Sequence, residues 1–125
     1  MATAAITDGH EIEIWGDGEQ TRSFTSVDHC VFGSKLIMGD DTSEPINLGS
    51  CELVSINQLV DLVEQIAGIR CNRNLQGRRP SGVRGRNSDN TLILERFGWE
   101  PSIPLVEGLE RTYRWIFDQV KRQAA

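Results

Sequence analysis

Eleven of the chain's thirteen cations are arginine, and six of them stand between residues 70 and 86, where there is no acid: Arg70, Arg73, Arg78, Arg79, Arg84 and Arg86. A guanidinium is a planar fork that holds phosphate through two parallel N–H···O bonds. Such a cluster is suited to an anion, and its setting narrows the kind. The segment carries +6 within a chain of net charge −5, so the other residues together carry −11. A body this acidic repels an extended phosphate backbone, which argues against nucleic acid as a partner. A small, discrete anion fits better. Other reactive side chains are sparse. Cys30, Cys51 and Cys71 are widely spaced, form no C-x-x-C and, with only His10 and His29 beside them, show no zinc-ligand spacing. Each cysteine reads as a small buried apolar residue, and each histidine as a surface or helix-start residue.

The elements that must position these residues follow from periodicity. A chain of 125 residues with 38% apolar and 25% charged content is expected to form one domain, residues 1–125, with a real core. No apolar run approaches the ~20 residues that span a bilayer, so no membrane partner is expected. The first residues lack the basic and apolar regions of a secretory signal. With an odd number of scattered thiols, this points to the cytoplasm. Residues 2–7 read as the end of a helix begun upstream. Residues 11–15 alternate with period 2, a strand with Ile12 and Ile14 on one face. Gly16 and Gly18 turn the chain, and residues 20–25 form a second short extended piece. A helix runs from Val27 to Met38, and Pro45–Gly49, apolar between breakers, reads as a buried strand. Ser55 with Gln58 is a capping-box pair opening an amphipathic helix that Gly68 closes. A strand around 69–75 and a glycine-rich loop follow. Ser88 or Asp89 caps a short helix with Leu92, Ile93 and Phe97 inward, and a last helix spans about 105–122. Trp15, Trp99 and Trp115 read as core residues rather than a platform for a base. The class is α/β or α+β, with three or four helices and three or four short strands.

Two strings go beyond patterning: Trp15 to Asp28, containing Gln20-Thr21-Arg22-Ser23-Phe24, and Gly82 to Asn90, containing Gly85-Arg86-Asn87-Ser88. With Asn47-Leu48-Gly49-Ser50, Phe97-Gly98-Trp99-Glu100-Pro101, Gly108-Leu109 and Trp115, they resemble the C-terminal part of the NAD-dependent epimerase/dehydratase family, the extended short-chain dehydrogenase/reductases. The resemblance covers about residues 11–120 and about the last third of a family member. It implies a nucleotide-sugar site in which Gln20, Thr21 and Arg22 line the substrate and Arg86 meets the diphosphate. Chemistry agrees with that implication, since two arginines from separate segments can clamp a doubly charged group. Arg84 either orients Arg86 or faces water. Gly85 beside Arg86 lets backbone approach a ligand closely.

The family's other parts are missing from the sequence. Gly16-x-Gly18 lacks the third glycine and the helix of a dinucleotide fingerprint, so NAD, the cofactor of the full-length family, is not expected to bind here. The family's Tyr-x-x-x-Lys is absent: the single tyrosine is Tyr113, and Phe117 stands four residues on. None of the three cysteines falls where the epimerase type carries its acid/base cysteine. No catalytic residue is therefore assigned. The resemblance implies a nucleotide-sugar-binding fragment that is catalytically incomplete alone. Two other readings stand beside it: a truncated piece of a full epimerase-like isomerase, and a small interaction protein that has kept no ligand. In the family, Val27–Gly49 packs against the cofactor domain. That surface would be orphaned here, so a homodimer is expected with Val27, Val31, Ile46 or Leu48 at or near its interface.

Overall fold

The computed structural model describes residues 10–77 and 82–124. The alternation of residues 11–15 becomes strand β1 (Glu11–Trp15), with Ile12 and Ile14 buried and Glu11, Glu13 and Trp15 outward. Its partner is β4 (Asn72–Gln76), parallel and in register Ile12↔Arg73 and Ile14↔Leu75. β1 and β4 are joined through residues 16–71, and the intervening helix α2 (Ile56–Ala67) lays Val60 and Ile56 on the two isoleucines. Fully burying each such aliphatic side chain stabilises by about 1.5–3 kcal/mol. Helix α2 starts where its sequence says it should. The Gln58 N–H donates to Ser55 Oγ at 3.1 Å, and the Ser55 N–H to Gln58 Oε1 at 2.8 Å, so two orphan donors are satisfied reciprocally. Gly68, at φ 71°, ends it in the left-handed conformation that residues with a Cβ avoid.

A second sheet holds β2 (Thr21–Ser23) between β3 (Leu53–Ser55), which is antiparallel to it, and β5 (Gly85–Arg86), which is parallel. The Gly16–Gly18 turn brings β2 round from β1. Gly18 has φ 75°, and a Cβ there would overlap the Asn57 side chain at the start of α2. Asn57 fastens the turn further by donating its backbone N–H to Gly18 O at 3.0 Å and its Nδ2 to Glu19 Oε1 at 2.6 Å.

Among the described residues, three further helices join the mixed α/β architecture: α1 (Val27–Met38), α3 (Thr91–Phe97) and α4 (Leu105–Ala124). α1 approaches the rest of the molecule at Gly33, where a Cβ would stand 2.5 Å from Leu48 Cδ1 and 2.9 Å from Trp99 Cζ3. The Trp99 ring also meets Phe32 and His29 edge-on, at centroid distances of 5.0 and 5.5 Å. His29, in the first turn of α1, accepts the Ser102 N–H on Nδ1 at 3.1 Å. On α4, Leu105 is buried and Leu109, Tyr113, Ile116 and Val120 are half-buried along the predicted stripe.

Several expectations are corrected. Pro45–Gly49 is not a strand; the chain there is irregular, while an unanticipated strand forms at Leu53–Ser55. Among the described residues no neighbouring strand meets residues 45–49, and side chains take up part of their backbone instead: Asn90 Nδ2 donates to Gly49 O at 2.8 Å. The strand expected around 69–75 begins later, at Asn72. α3 has Asn90 at its N-cap position, and Asp89 accepts the Thr91 N–H at 3.0 Å from one residue earlier. Ile93 is fully buried, but Leu92 is exposed, because a two-turn helix presents too narrow a face to bury both. Cys30 and Cys51 are exposed and Cys71 half-buried. Trp15 and Trp115 are 50 and 64% exposed, while Trp99 lies in an aromatic cluster with His29 and Phe32. The helix end expected at residues 2–7, and Arg78 and Arg79, lie outside the described residues.

Candidate functional site

The three-stranded sheet builds the site. β2 and β5 run parallel with Arg22 directly beside Arg86. Strand neighbours lie ~4.8 Å apart, so the two side chains leave the sheet on the same face. β5 approaches this closely because of Gly85: a Cβ there would stand 2.7 Å from Thr21 Oγ1. The glycine expected to admit a ligand thus admits the neighbouring strand. The Thr21 N–H donates to Arg84 O at 2.8 Å and completes the junction.

The two arginines face a recess of about 300 Å3, walled by Arg22, Ser23 and Thr25, by residues 47–49 and by residues 86–88. Its lining holds Ser23, Asn47, Asn87 and Ser88 but no carboxylate. Among the described residues neither Arg22 nor Arg86 has an ion-pair partner; Arg22 Nη1 donates to the carbonyl of Thr21 at 2.6 Å. Two like charges side by side repel, and no carboxylate among the described residues pairs with either. Such a pair makes the recess electropositive, and hydroxyl and amide side chains surround it.

The other expected site residues serve the strand rather than the recess. Gln20 is buried, with Nε2 donating to Trp15 O at 2.9 Å. Its Oε1 has no hydrogen-bond partner among the described residues. Thr21 sits in the junction with β5. The structure therefore brings Arg22 and Arg86 together and leaves Gln20 and Thr21 behind them. Asn47, Asn87 and Ser88 stand in the recess and were not singled out from the sequence. All three belong to the strings that carry the family resemblance, which was the available signal.

The rest of the cationic segment divides differently. Arg73 is neutralised: its guanidinium is 2.5 Å from Asp61 Oδ1 and 2.9 Å from Glu64 Oε2 on α2. Glu64 also accepts the Cys71 N–H at 2.9 Å. That N–H first, and Arg73 after it, hold the buried Glu64 carboxyl below its usual value, against the opposing effect of burial. Arg84 pairs with Asp17 at 2.9 Å in an exposed bridge. The Glu19 N–H, and then Arg84, lower the carboxyl pKa of Asp17.

The described residues do not fit NAD. A dinucleotide cradle needs a glycine turn left open at a helix N-terminus. Here the Gly16–Gly18 turn leads into β2, and Asn57 fills the space beside Gly18. No group of three or more metal-ligating side chains occurs among the described residues, and none of their helices is long and apolar enough to cross a membrane.

No protein-family model matches the chain. It is 45% identical over 122 residues to GDP-mannose 3,5-epimerase of Arabidopsis thaliana, which covers 97% of this chain and 32% of the relative. It is 32% identical over 116 residues to UDP-glucuronic acid decarboxylase 1 of Xenopus tropicalis, covering 93 and 28%. Among solved structures, UDP-glucose 4-epimerase of Thermotoga maritima, determined with UDP-glucose, superposes with a TM-score of 0.86 at 32% identity, over 95% of this chain and 38% of that one. The chain spans about a third of the length of these curated relatives. In sequence and fold it belongs with the C-terminal part of the NAD-dependent epimerase/dehydratase family.

Proposed function

We propose that the chain is a single nucleotide-sugar-binding unit in which Arg22 and Arg86 grip the diphosphate, and that it is catalytically incomplete alone. The observation that carries this reading is the register of the two arginines on adjacent parallel strands, with no carboxylate in their recess. Gln20 and Thr21 act by holding β2 in place. The relatives support the substrate class, since the Thermotoga structure holds UDP-glucose and the Arabidopsis enzyme is named for GDP-mannose. Each arginine–phosphate bond contributes about 1.5–3 kcal/mol, and ~4 kcal/mol corresponds to a dissociation constant of ~1 mM. Millimolar affinity is therefore expected. Calorimetric titration with GDP-mannose and UDP-glucose tests it: binding abolished by Arg22→Ala and by Arg86→Ala is the expected result, and variants that bind like the parent overturn the assignment. NAD alone, titrated in parallel, is expected to give no saturable micromolar binding.

The chain is further proposed to act in the cytoplasm and as a homodimer. The outer face of α1 supports the second point: Val27, Val31 and Met38 share it and are all about half exposed or more. With residues 45–49 irregular rather than a bare strand edge, this helix face is the orphaned surface. A second copy is the commonest cover for such a face. Light scattering at ~100 μM chain is expected to return two chains, since even a micromolar dimer forms there; one chain overturns the dimer.

A further inference from the structure

Behind the arginine recess stands one buried polar side chain that touches two of its walls. Asn90 is 7% exposed. Its Nδ2 donates to Gly49 O at 2.8 Å and lies 3.3 Å from Glu100 Oε2. Its Oδ1 accepts from Ser88 Oγ at 2.7 Å. Gly49 and Ser88 belong to two different walls of the recess, and Asn90 itself does not line it. The walls meet closely here: a Cβ on Gly49 would stand 2.9 Å from the Cβ of Ser88. The third wall is tied to the second in the same manner, because the Ser50 N–H donates to Thr25 Oγ1 at 2.8 Å.

From this we infer that Asn90 is a positioning residue for the anion site. Resting on the diphosphate reading above, the inference is that Asn90 sets the spacing between residues 47–49 and residues 86–88, and with it the placement of Arg86. The amide suits the task. It offers a donor to the carbonyl of one wall and an acceptor to the hydroxyl of the other, and at a buried position an unmade bond is costly. A carboxylate would lose the donor, and an aliphatic residue would lose both links. Ser88 is the arm through which Asn90 acts on the wall that carries Arg86. Neither link involves the guanidinium, so their removal changes where Arg86 stands, not what it is.

Inorganic pyrophosphate is the probe, titrated well below the unfolding temperature against the parent, Arg86→Ala, Asn90→Ala, Ser88→Ala and Ser88→Thr. Ser88→Ala is the safeguard should Asn90→Ala fail to fold. Loss of one such link is expected to weaken binding about five-fold in Ser88→Ala and ~10-fold in Asn90→Ala, while Ser88→Thr, which keeps the hydroxyl, stays within about two-fold of the parent. Asp61→Asn, on the other side of α2, lowers stability and leaves pyrophosphate affinity unchanged, which separates positioning from general loosening. If Arg86→Ala weakens binding while Asn90→Ala and Ser88→Ala bind like the parent, positioning is overturned and the arginine site stands. Positioning is overturned equally if Ser88→Thr binds as weakly as Ser88→Ala. If the parent binds no pyrophosphate, the site reading fails and the inference fails with it.

Discussion

On β4, Arg73 lies between two carboxylates of α2; on β5, Arg86 lies beside a second arginine in a recess without any. Both residues come from the same run of six arginines. The difference between them is what packs alongside. α2 places Asp61 and Glu64 one turn apart, so both reach the strand that returns beside the helix. β5 instead returns beside β2, whose residue at that register is Arg22. A cation with acids supplied by its neighbours is part of the fold. A cation beside another cation, with no acid in the recess, is the feature on which the proposed site rests.

The comparison can be broken most forcefully at Glu64. Glu64→Ala strands the Cys71 N–H and leaves Arg73 with Asp61 alone, and it should cost about 2–3 kcal/mol, given that Arg73 is only partly shielded from water. A chemical denaturation midpoint measures it; an unchanged midpoint would mean that Arg73 is as idle as a surface cation. Arg86→Ala should do the reverse, weakening pyrophosphate binding about 10-fold or more while folding stability stays level or rises as the repulsion with Arg22 ends. If Arg86→Ala unfolds the protein as Glu64→Ala does, the two regions do not differ.

Asn87→Asp sharpens the contrast by giving the recess the carboxylate it lacks. Stability should rise by up to about 1 kcal/mol and pyrophosphate binding should fall, read by thermal unfolding and titration together. Acid sharpens it again. Because Glu64 has a lower pKa in the folded state than its ordinary 4.5, its contribution is complete well above that value and is lost as the pH falls through the folded one. The acid limb of a stability–pH curve should therefore flatten in Glu64→Gln and keep its slope in Arg86→Ala. The smallest effect belongs to the exposed pair Arg111–Glu107 on α4, where Glu107→Gln should cost no more than about 0.5 kcal/mol.

What could be read from the sequence was local. The capping box at Ser55 and Gln58, the stripe of α2 and the alternation of β1 each depend on residues within a turn or two, and each forms as expected. Pro45–Gly49 looks like a strand because an apolar run between breakers is all that a buried strand shows in sequence. Whether it pairs depends on a neighbour, and here the neighbours of Gly49 are the side chains of Asn90 and Ser88. The two site arginines were legible only through the family resemblance, since composition places them in different segments. The fate of Arg73 was hidden in the same way: Asp61 and Glu64 stand at visible helical spacing, but nothing local says which strand passes them. The exposed Cys30, Cys51, Trp15 and Trp115 show the same limit, because residue type alone does not say which face meets the core.

The three tryptophans stand in different surroundings, and that makes the protein its own optical instrument. Trp15 and Trp115 are open to solvent, whereas Trp99 is half-buried against Phe32, His29 and the bare backbone of Gly33. An aqueous quencher such as iodide should extinguish the emission of the first two and spare that of Trp99. The spared fraction, blue-shifted and edge-on to its ring neighbours, reports the docking of α1 alone. A second chain settling on the outer face of that helix, or α1 peeling away from Leu48, would thus be followed in dilute solution without attaching any label.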